Sequence, residues 1–360
     1  MRRSRRLLHP AGPAVLGALF AQLACNAPPA PAPSNAPLRI GAVYPTSTEP
    51  GALDQLHGLE TAAALADESG GDRGRQIVIV AEDATHMTAV TAAVDGLVNE
   101  GVSVIFGTYD SDLALAASAE AAQDGATFME TGGLADTITR RGLAGVLRAG
   151  QSGSTLGAYA ARFTRDVVIP GLHLSLGGAR VVVIFEDDAY GASVADGAVS
   201  EAAAVGVHIV DTVKYAPVVS PAYYGTLAGE MAQDRPDVLI AGQFSQGAIN
   251  LRQALAALHV QVGALIGASS TYSNAAYPQA VGAGAVGVFA ADGPDQGMST
   301  AGLLPSARQL LDRATSAYQA RFHTTMSSSA IEGFVGGWIM FHNVMPGAAS
   351  TTRADLMRAA

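Results

Sequence analysis

Val102–Phe106 reads VSVIF, and Gly107-Thr108-Tyr109-Asp110-Ser111-Asp112 follows directly. A short β-branched run of this kind suits a strand covered on both faces, the situation in a parallel sheet. The Ala-rich stretch 112–123 behind the loop has helical spacing. The same unit of strand, loop and helix repeats in both directions. Upstream, Arg39–Tyr44 (RIGAVY) reads as a strand ending at Pro45, and 54–68 as a helix stopped by Gly70-Gly71. Gln76–Ala81 (QIVIVA) is a further buried strand, and 87–99 a further helix. Downstream, Thr127–Met129 reads as a short strand, and Leu147–Ser152 (LRAGQS) as a connector. A second series follows, with strands at Arg180–Phe185 (RVVVIF), Val207–Val210, Val238–Ala241 (VLIA), Ala264–Gly267 (ALIG) and Val286–Ala291. Its helices are read at 153–168, 192–205, 224–233 and 247–258, with an amphipathic one at 304–322 and an apolar one at 329–345. Strict alternation makes this an α/β chain with parallel sheets, built as two similar units.

Composition removes several classes of function. Apolar residues make up 49% of the 360 and charged residues 14%, which excludes disorder over the bulk. A net charge of −10 argues against a nucleic-acid binder, which needs a cationic face. One cysteine forms no internal disulfide and no thiolate cage, and the eight histidines are scattered, with no pair at i, i+4. G-x-S-x-G and G-x-x-x-x-G-K-[ST] are both absent. Gly282-Ala-Gly284-Ala-Val-Gly287 spells G-x-G-x-x-G but precedes a strand instead of following one, so an NAD-linked oxidoreductase is only a remote reading. No metal, cofactor or catalytic group is expected. The apolar stretch 329–345 contains Glu332 and His342 and makes a poor membrane span.

Residues 1–25 have the anatomy of an export signal: four arginines among residues 2–6, an apolar run from Ala14 to Ala24, then Cys25. The placement of Cys25 resembles a bacterial lipoprotein signal, in which the thiol is lipidated, although Gln22-Leu23-Ala24 departs from the usual spacing. An ordinary cleavage near Ala24 is the alternative. Residues 26–37 (NAPPAPAPSNAP) read as an extended Pro/Ala-rich linker, a spacer or an end without a role.

Ligands of parallel sheets bind beyond the carboxyl ends of the strands. Three loops therefore matter: 107–112 with Ser111, 130–133 with Gly132 and Gly133, and 186–191 with Tyr190. Ser111 either caps the next helix or offers its hydroxyl to a carboxylate, and the two glycines expose amides to an anion. Ordinary helix capping accounts for the same residues. His57, at the start of a helix, reads as a surface histidine.

The ordered series PLRIGAVYP, GDRGRQIVIVAEDATH, GVSVIFGTYDS, FEDDAYG and PDVLIAG followed by LRQAL resembles the type I periplasmic (solute) binding proteins of ABC importers. The nearest branch includes the leucine/isoleucine/valine-binding proteins. The resemblance covers about residues 38–345. It implies two Rossmann-like lobes with parallel central sheets joined by a multi-strand hinge, and a small molecule clamped between them without catalysis. Lobe 1 is expected at 38–148 and 290–345, lobe 2 at 149–289, with 346–360 an incomplete C-terminal segment. A monomer in the periplasm or at the cell surface, lipid-anchored and serving an ABC permease, is implied. The alternative is a ligand-sensing or structural protein with the same fold and no transporter.

By the same resemblance, Ser111, with Tyr109 nearby, holds a substrate carboxylate, and Gly132 and Gly133 add amides. Tyr190 and Phe244 form aromatic walls, and Ser269 occupies the place of the acid that pairs with a substrate ammonium. Here the sequence departs from the family. Ser269 carries no charge, Leu134 stands where a hydroxyl is usual, and Asp110, Asp112 and Glu130 crowd the carboxylate site with like charge. Either Glu49 or Glu130 replaces the missing acid from another direction, or the ligand is neutral or cationic.

Overall fold

The computed structural model describes residues 36–217, 220–295 and 297–360; the export signal, Cys25 and most of the linker lie outside the described residues. Ten strands are found among them: β1 (Leu38–Tyr44), β2 (Ile77–Asp83), β3 (Val104–Gly107), β4 (Thr127–Glu130), β5 (Val146–Arg148), β6 (Val181–Glu186), β7 (Ile209–Tyr215), β8 (Val238–Gly242), β9 (Ala264–Ala268) and β10 (Val288–Ala291). They form two sheets, ordered β2-β1-β3-β4-β5 and β10-β9-β8-β6-β7, and every pairing is parallel. From its first strand each sheet has the order 2-1-3-4-5, so the two units share one topology with one reversal of direction apiece.

Apolar residues on both strand faces produce this arrangement. Along β1, Ile40, Ala42 and Tyr44 join a core with Leu59 of helix Pro50–Glu68 and Phe334 of helix Ser328–Trp338. Val43 faces the other way, with Val94 of helix Met87–Asn99 and Ala117 of helix Ser111–Gln123. In β6, Val181, Val183 and Phe185 meet helix Ala189–Val205, and Val182 and Ile184 meet helices Pro221–Asp234 and Ser245–Ala257.

The structure extends some expected elements. β7 runs to Tyr215 because Asp211 and Thr212 face solvent on an edge strand, where polar residues break the apolar signal without breaking the pairing. β5, with none of its residues fully buried, carried no strand signal. All of β10 pairs with β9, so the second sheet runs to Ala291, past the division expected at 289/290. After Ala291 the chain enters helix Pro305–Phe322, and Arg321 and Arg313 of that helix pair with Glu60 and Glu68 of the first unit. Helix Arg353–Ala359 returns to this unit too: Leu356 is fully buried in its core, and Arg353 Nη1 donates to the Ala122 carbonyl at 2.7 Å. The crossings between units leave the ends of β5 and β10. Their residues, Gly150-Gln151-Ser152 and Asp292-Gly293-Pro294, form loops and not the paired strands of a multi-strand hinge, as expected of segments rich in Gly with a Pro lacking its N–H. No helix among the described residues is long and apolar enough to cross a membrane.

Helices 50–68 and 328–338 approach backbone to backbone. A Cβ on Gly58 would lie 2.0 Å from the Ala330 carbonyl oxygen, and one on Gly333 would lie 2.0 Å from that of Gln55. This contact carries Glu332 into the cleft described below. Gly58→Ala should destabilise by about 1–3 kcal/mol through overpacking. Gly96→Ala, in an exposed helix with open space around it, should instead stabilise by about 0.5–1 kcal/mol. Paired urea melts check both signs.

Candidate functional site

Loops from the carboxyl ends of six strands converge on one cavity of about 420 Å³. The first sheet supplies Glu49 after β1, Tyr109, Asp110 and Ser111 after β3, and Gly132 and Leu134 after β4. The second supplies Tyr190 after β6, Phe244, Ser245 and Gln246 after β8, and Ser269, Ser270 and Thr271 after β9. β1 and β3, like β6 and β8, flank the reversal of strand order in their sheets, where parallel sheets open a crevice. Ile249 and Glu332 complete the lining, and none of these residues is basic.

Aromatic rings form the walls. Tyr190 and Phe244 lie with ring centroids 5.3 Å apart at 59°. The Tyr190 hydroxyl bonds to the Ala268 carbonyl at 2.9 Å and to Ser269 Oγ at 3.1 Å, so this ring is fixed by its own neighbours. Tyr109 opposes them from the first unit. Tyr109 and Ser269 hold φ at 121° and 66°, left-handed values that cost a non-glycine residue about 1–3 kcal/mol and gather at functional sites.

The expected anion seats are occupied by the chain itself. Asp110, not Ser111, caps helix 111–123: its Oδ1 accepts from the amides of Asp112 and Leu113, both at 2.9 Å. Ser111 Oγ accepts from the Ala135 amide at 3.0 Å. The Gly132 and Gly133 amides both donate to Glu130 Oε1, at 2.8 and 2.5 Å. Glu130 is fully buried, and that burial pushes its carboxyl up to about 7 against the pull of Arg148 and the loop amides. The Gly132 and Gly133 amides thus already serve Glu130, while the Ser111 hydroxyl accepts from Ala135 and keeps its own hydrogen to donate.

Six of the seven residues singled out in the sequence, Tyr109, Ser111, Gly132, Tyr190, Phe244 and Ser269, line the cavity; Gly133 lies behind it. Glu332 was missed as a lining residue. A single carboxylate within the apolar helix IEGFVGGW was the available signal. Its Oε2 accepts from Gln55 Nε2 at 2.9 Å, and Gln55 Oε1 accepts from the Thr131 hydroxyl at 3.2 Å. Burial, and then Asp292, raises its carboxyl well above the ordinary range. Ser270, Thr271 and Gln246 were missed because nothing sets them apart from other helix-start polar residues.

Other candidates are structural. His57 stacks on Phe322 with centroids 3.9 Å apart. Gly282–Ala285 forms a 3₁₀ turn ahead of β10, away from any helix N-terminus that follows a strand. Among the described residues no group of three or more His, Cys, Asp or Glu is placed to hold a metal.

Two like-built halves with a polar and aromatic cavity between their strand ends define a cleft-type binding protein. The profile of the periplasmic binding protein family matches residues 37–360, and the chain belongs to that family. It is similar to Leu/Ile/Val-binding protein homolog 8 of Brucella abortus, 27% identical over 317 residues that cover 87% of this chain and 77% of the relative. Its fold matches the branched-chain amino acid transporter substrate binding protein of Streptococcus pneumoniae in complex with isoleucine, at a TM-score of 0.72 and 16% identity over 90% of this chain and 87% of that one. It also matches the Rhodopseudomonas palustris ABC-transporter solute binding protein in complex with benzoate, at a TM-score of 0.69 and 20% identity over 90% and 85%. The family and the α/β class with two parallel sheets, as read from the sequence, both hold.

Glu130 and Glu186 both have folded values of about 7, each raised chiefly by burial from 4.5. The native state therefore binds more protons than the unfolded chain between those values, and stability falls as pH rises through that window. One such group contributes at most about 1.4 kcal/mol per pH unit. Glu130→Gln should flatten the decline between pH 5 and 7, as read from urea midpoints.

Proposed function

We propose that this protein captures a small solute in its cleft outside the cytoplasm and delivers it unchanged to an ABC permease. The observation that carries this reading is the convergence of six strand-end loops, three from each sheet, on one cavity. Lobe one takes in 38–148 and the helices after Ala291; lobe two takes in the second sheet. Ligand touching both lobes favours the closed state, the usual logic of hinged binding proteins. Tyr109, Tyr190, Phe244 and Ser269 are the contacts assigned to solute. Amino acids, amides and amino-acid-like solutes are the candidate class; the structural relatives hold isoleucine in one case and benzoate in another. Membership of the family supports export, and Cys25 would then tether the mature chain to the membrane surface as a monomer.

Thermal-shift screening of residues 26–360 against metabolites tests capture, since a ligand at 100 times its Kd adds about 2.7 kcal/mol of stability. The hit should shrink the radius of gyration in small-angle scattering. Tyr190→Ala should weaken the hit at least about tenfold by removing one aromatic wall. A hit that binds this variant as tightly as the parent would remove Tyr190 from the site. Replacing Cys25 with Ser should move the protein from the membrane fraction to the soluble one.

A further inference from the structure

We infer that the cleft selects an organic cation without a carboxylate: an amine or ammonium group on a small apolar body. The inference rests on the solute-capture reading and names the ligand class of that same cavity. Three observations lead to it.

First, the cavity has acids but no bases. Glu49, Asp110 and Glu332 line it, and no Lys or Arg does. Glu332 Oε2 has a neutral partner in Gln55. The charges that act on Glu332 are the carboxylates of Asp292 and Glu130. Arg148, the cation that acts on Glu130, does not line the cavity and donates to the carbonyls of Gly133 and Ala135.

Second, two of the places where a ligand carboxylate would sit hold internal carboxylates. Asp110 occupies the N-terminus of helix 111–123, and Glu130 occupies the Gly132-Gly133 amides. An incoming anion would have to displace an internal carboxylate from two amides and meet Glu332 nearby. The donors that remain in the lining are neutral hydroxyls and amides, such as those of Ser111, Ser270, Thr271 and Gln246, and none brings a positive charge to offset the desolvation of an anion.

Third, acids of the two lobes stand at the starts of helices that touch: Asp110 caps helix 111–123 and Asp188 caps helix 189–205. Asp188 of the second lobe is raised to about 6 by burial first, and then by Asp112 and Asp110 across the cleft. A cation held between the lobes offsets this repulsion on closure, whereas an anion adds to it. Leu134, Ile249 and the Tyr190–Phe244 pair provide an apolar and aromatic surface for the body of such a ligand. Tyr109 adds an aromatic ring, which attracts an ammonium over its face.

The test uses probes with matched apolar bodies: 3-methylbutylamine, leucine and 3-methylbutanoate, with benzylamine and benzoate as the aromatic pair. Each is titrated calorimetrically into the mature chain and followed by small-angle scattering. The amines should bind and close the lobes, leucine should bind more weakly than its amine, and both acids should give no signal. Amine binding should drive a proton off Glu332, so the observed enthalpy should change with the ionisation enthalpy of the buffer. Glu332→Gln should weaken the amine at least about tenfold and abolish that buffer dependence. Glu49→Gln, at an exposed position that does not endanger folding, should weaken it by a smaller factor. Tighter binding of leucine or an acid than of the amine, with closure, would overturn the cation inference and leave solute capture standing. So would amine affinity unchanged by both variants together. Absence of binding and closure with all five probes would overturn the cation inference, and a metabolite screen equally silent would take the capture reading with it.

Discussion

A parallel strand covered by helices on both faces has only its ends free for chemistry. That constraint organises this molecule. β3, β4, β6, β8 and β9 are buried along their whole length, so the loops at their carboxyl ends are the places where polar side chains can meet a ligand. Two sheets of the same order, with their strand ends facing each other, turn that restriction into a cleft. Helix 328–338 adds the one cavity-lining carboxylate that does not come from a strand end, and it can do so because glycine at 58 and 333 brings its backbone against helix 50–68.

Glu130 shows how one side chain alters the polar groups that a loop of this scaffold presents, without changing the fold. A βα-loop with two successive glycines presents amides whatever sits on them. Supplying a carboxylate from within the same loop satisfies those amides permanently and removes the anion receptor. The residue is expensive to bury, and its second oxygen, Oε2, has no hydrogen-bond partner. Apolar residues of similar size are often better tolerated than such a charge. A costly buried acid behind the lining of a binding cleft fits a role in electrostatics better than one in stability.

The fold was legible because strand burial leaves a strong trace: RVVVIF, VLIA and ALIG can hardly be read otherwise, and alternation with Ala-rich helices orders them. The places where reading fell short have physical causes. β5 and the outer half of β7 lie at sheet edges, where solvent-facing residues dilute the apolar signal. The cavity lining was legible at the loops, since strand ends announce themselves. The partners of those residues were not. Whether a glycine amide is free or satisfied depends on a side-chain rotamer two residues away, and whether Asp110 or its neighbour Ser111 caps the helix is a competition between adjacent capping residues that sequence leaves open. Glu332 was visible as an oddity in an apolar helix, but its destination depends on which face packs against helix 50–68.

Closure of the two lobes on a ligand, as proposed above, would carry an electrostatic cost. Asp110 and Asp112 of the first unit act on Asp188 of the second, so negative charge on these groups would oppose their closer approach. In a neutral or zwitterion-binding cleft this repulsion would be a pure loss. It becomes useful when the ligand itself carries the compensating charge, because the empty protein is then biased open and the loaded one closed. A ligand shifts such an equilibrium only by its differential affinity for the two states. Like charge across the cleft raises that difference for a cation and lowers it for an anion. The same residues that make the empty cleft reluctant to close would thus make closure report on occupancy.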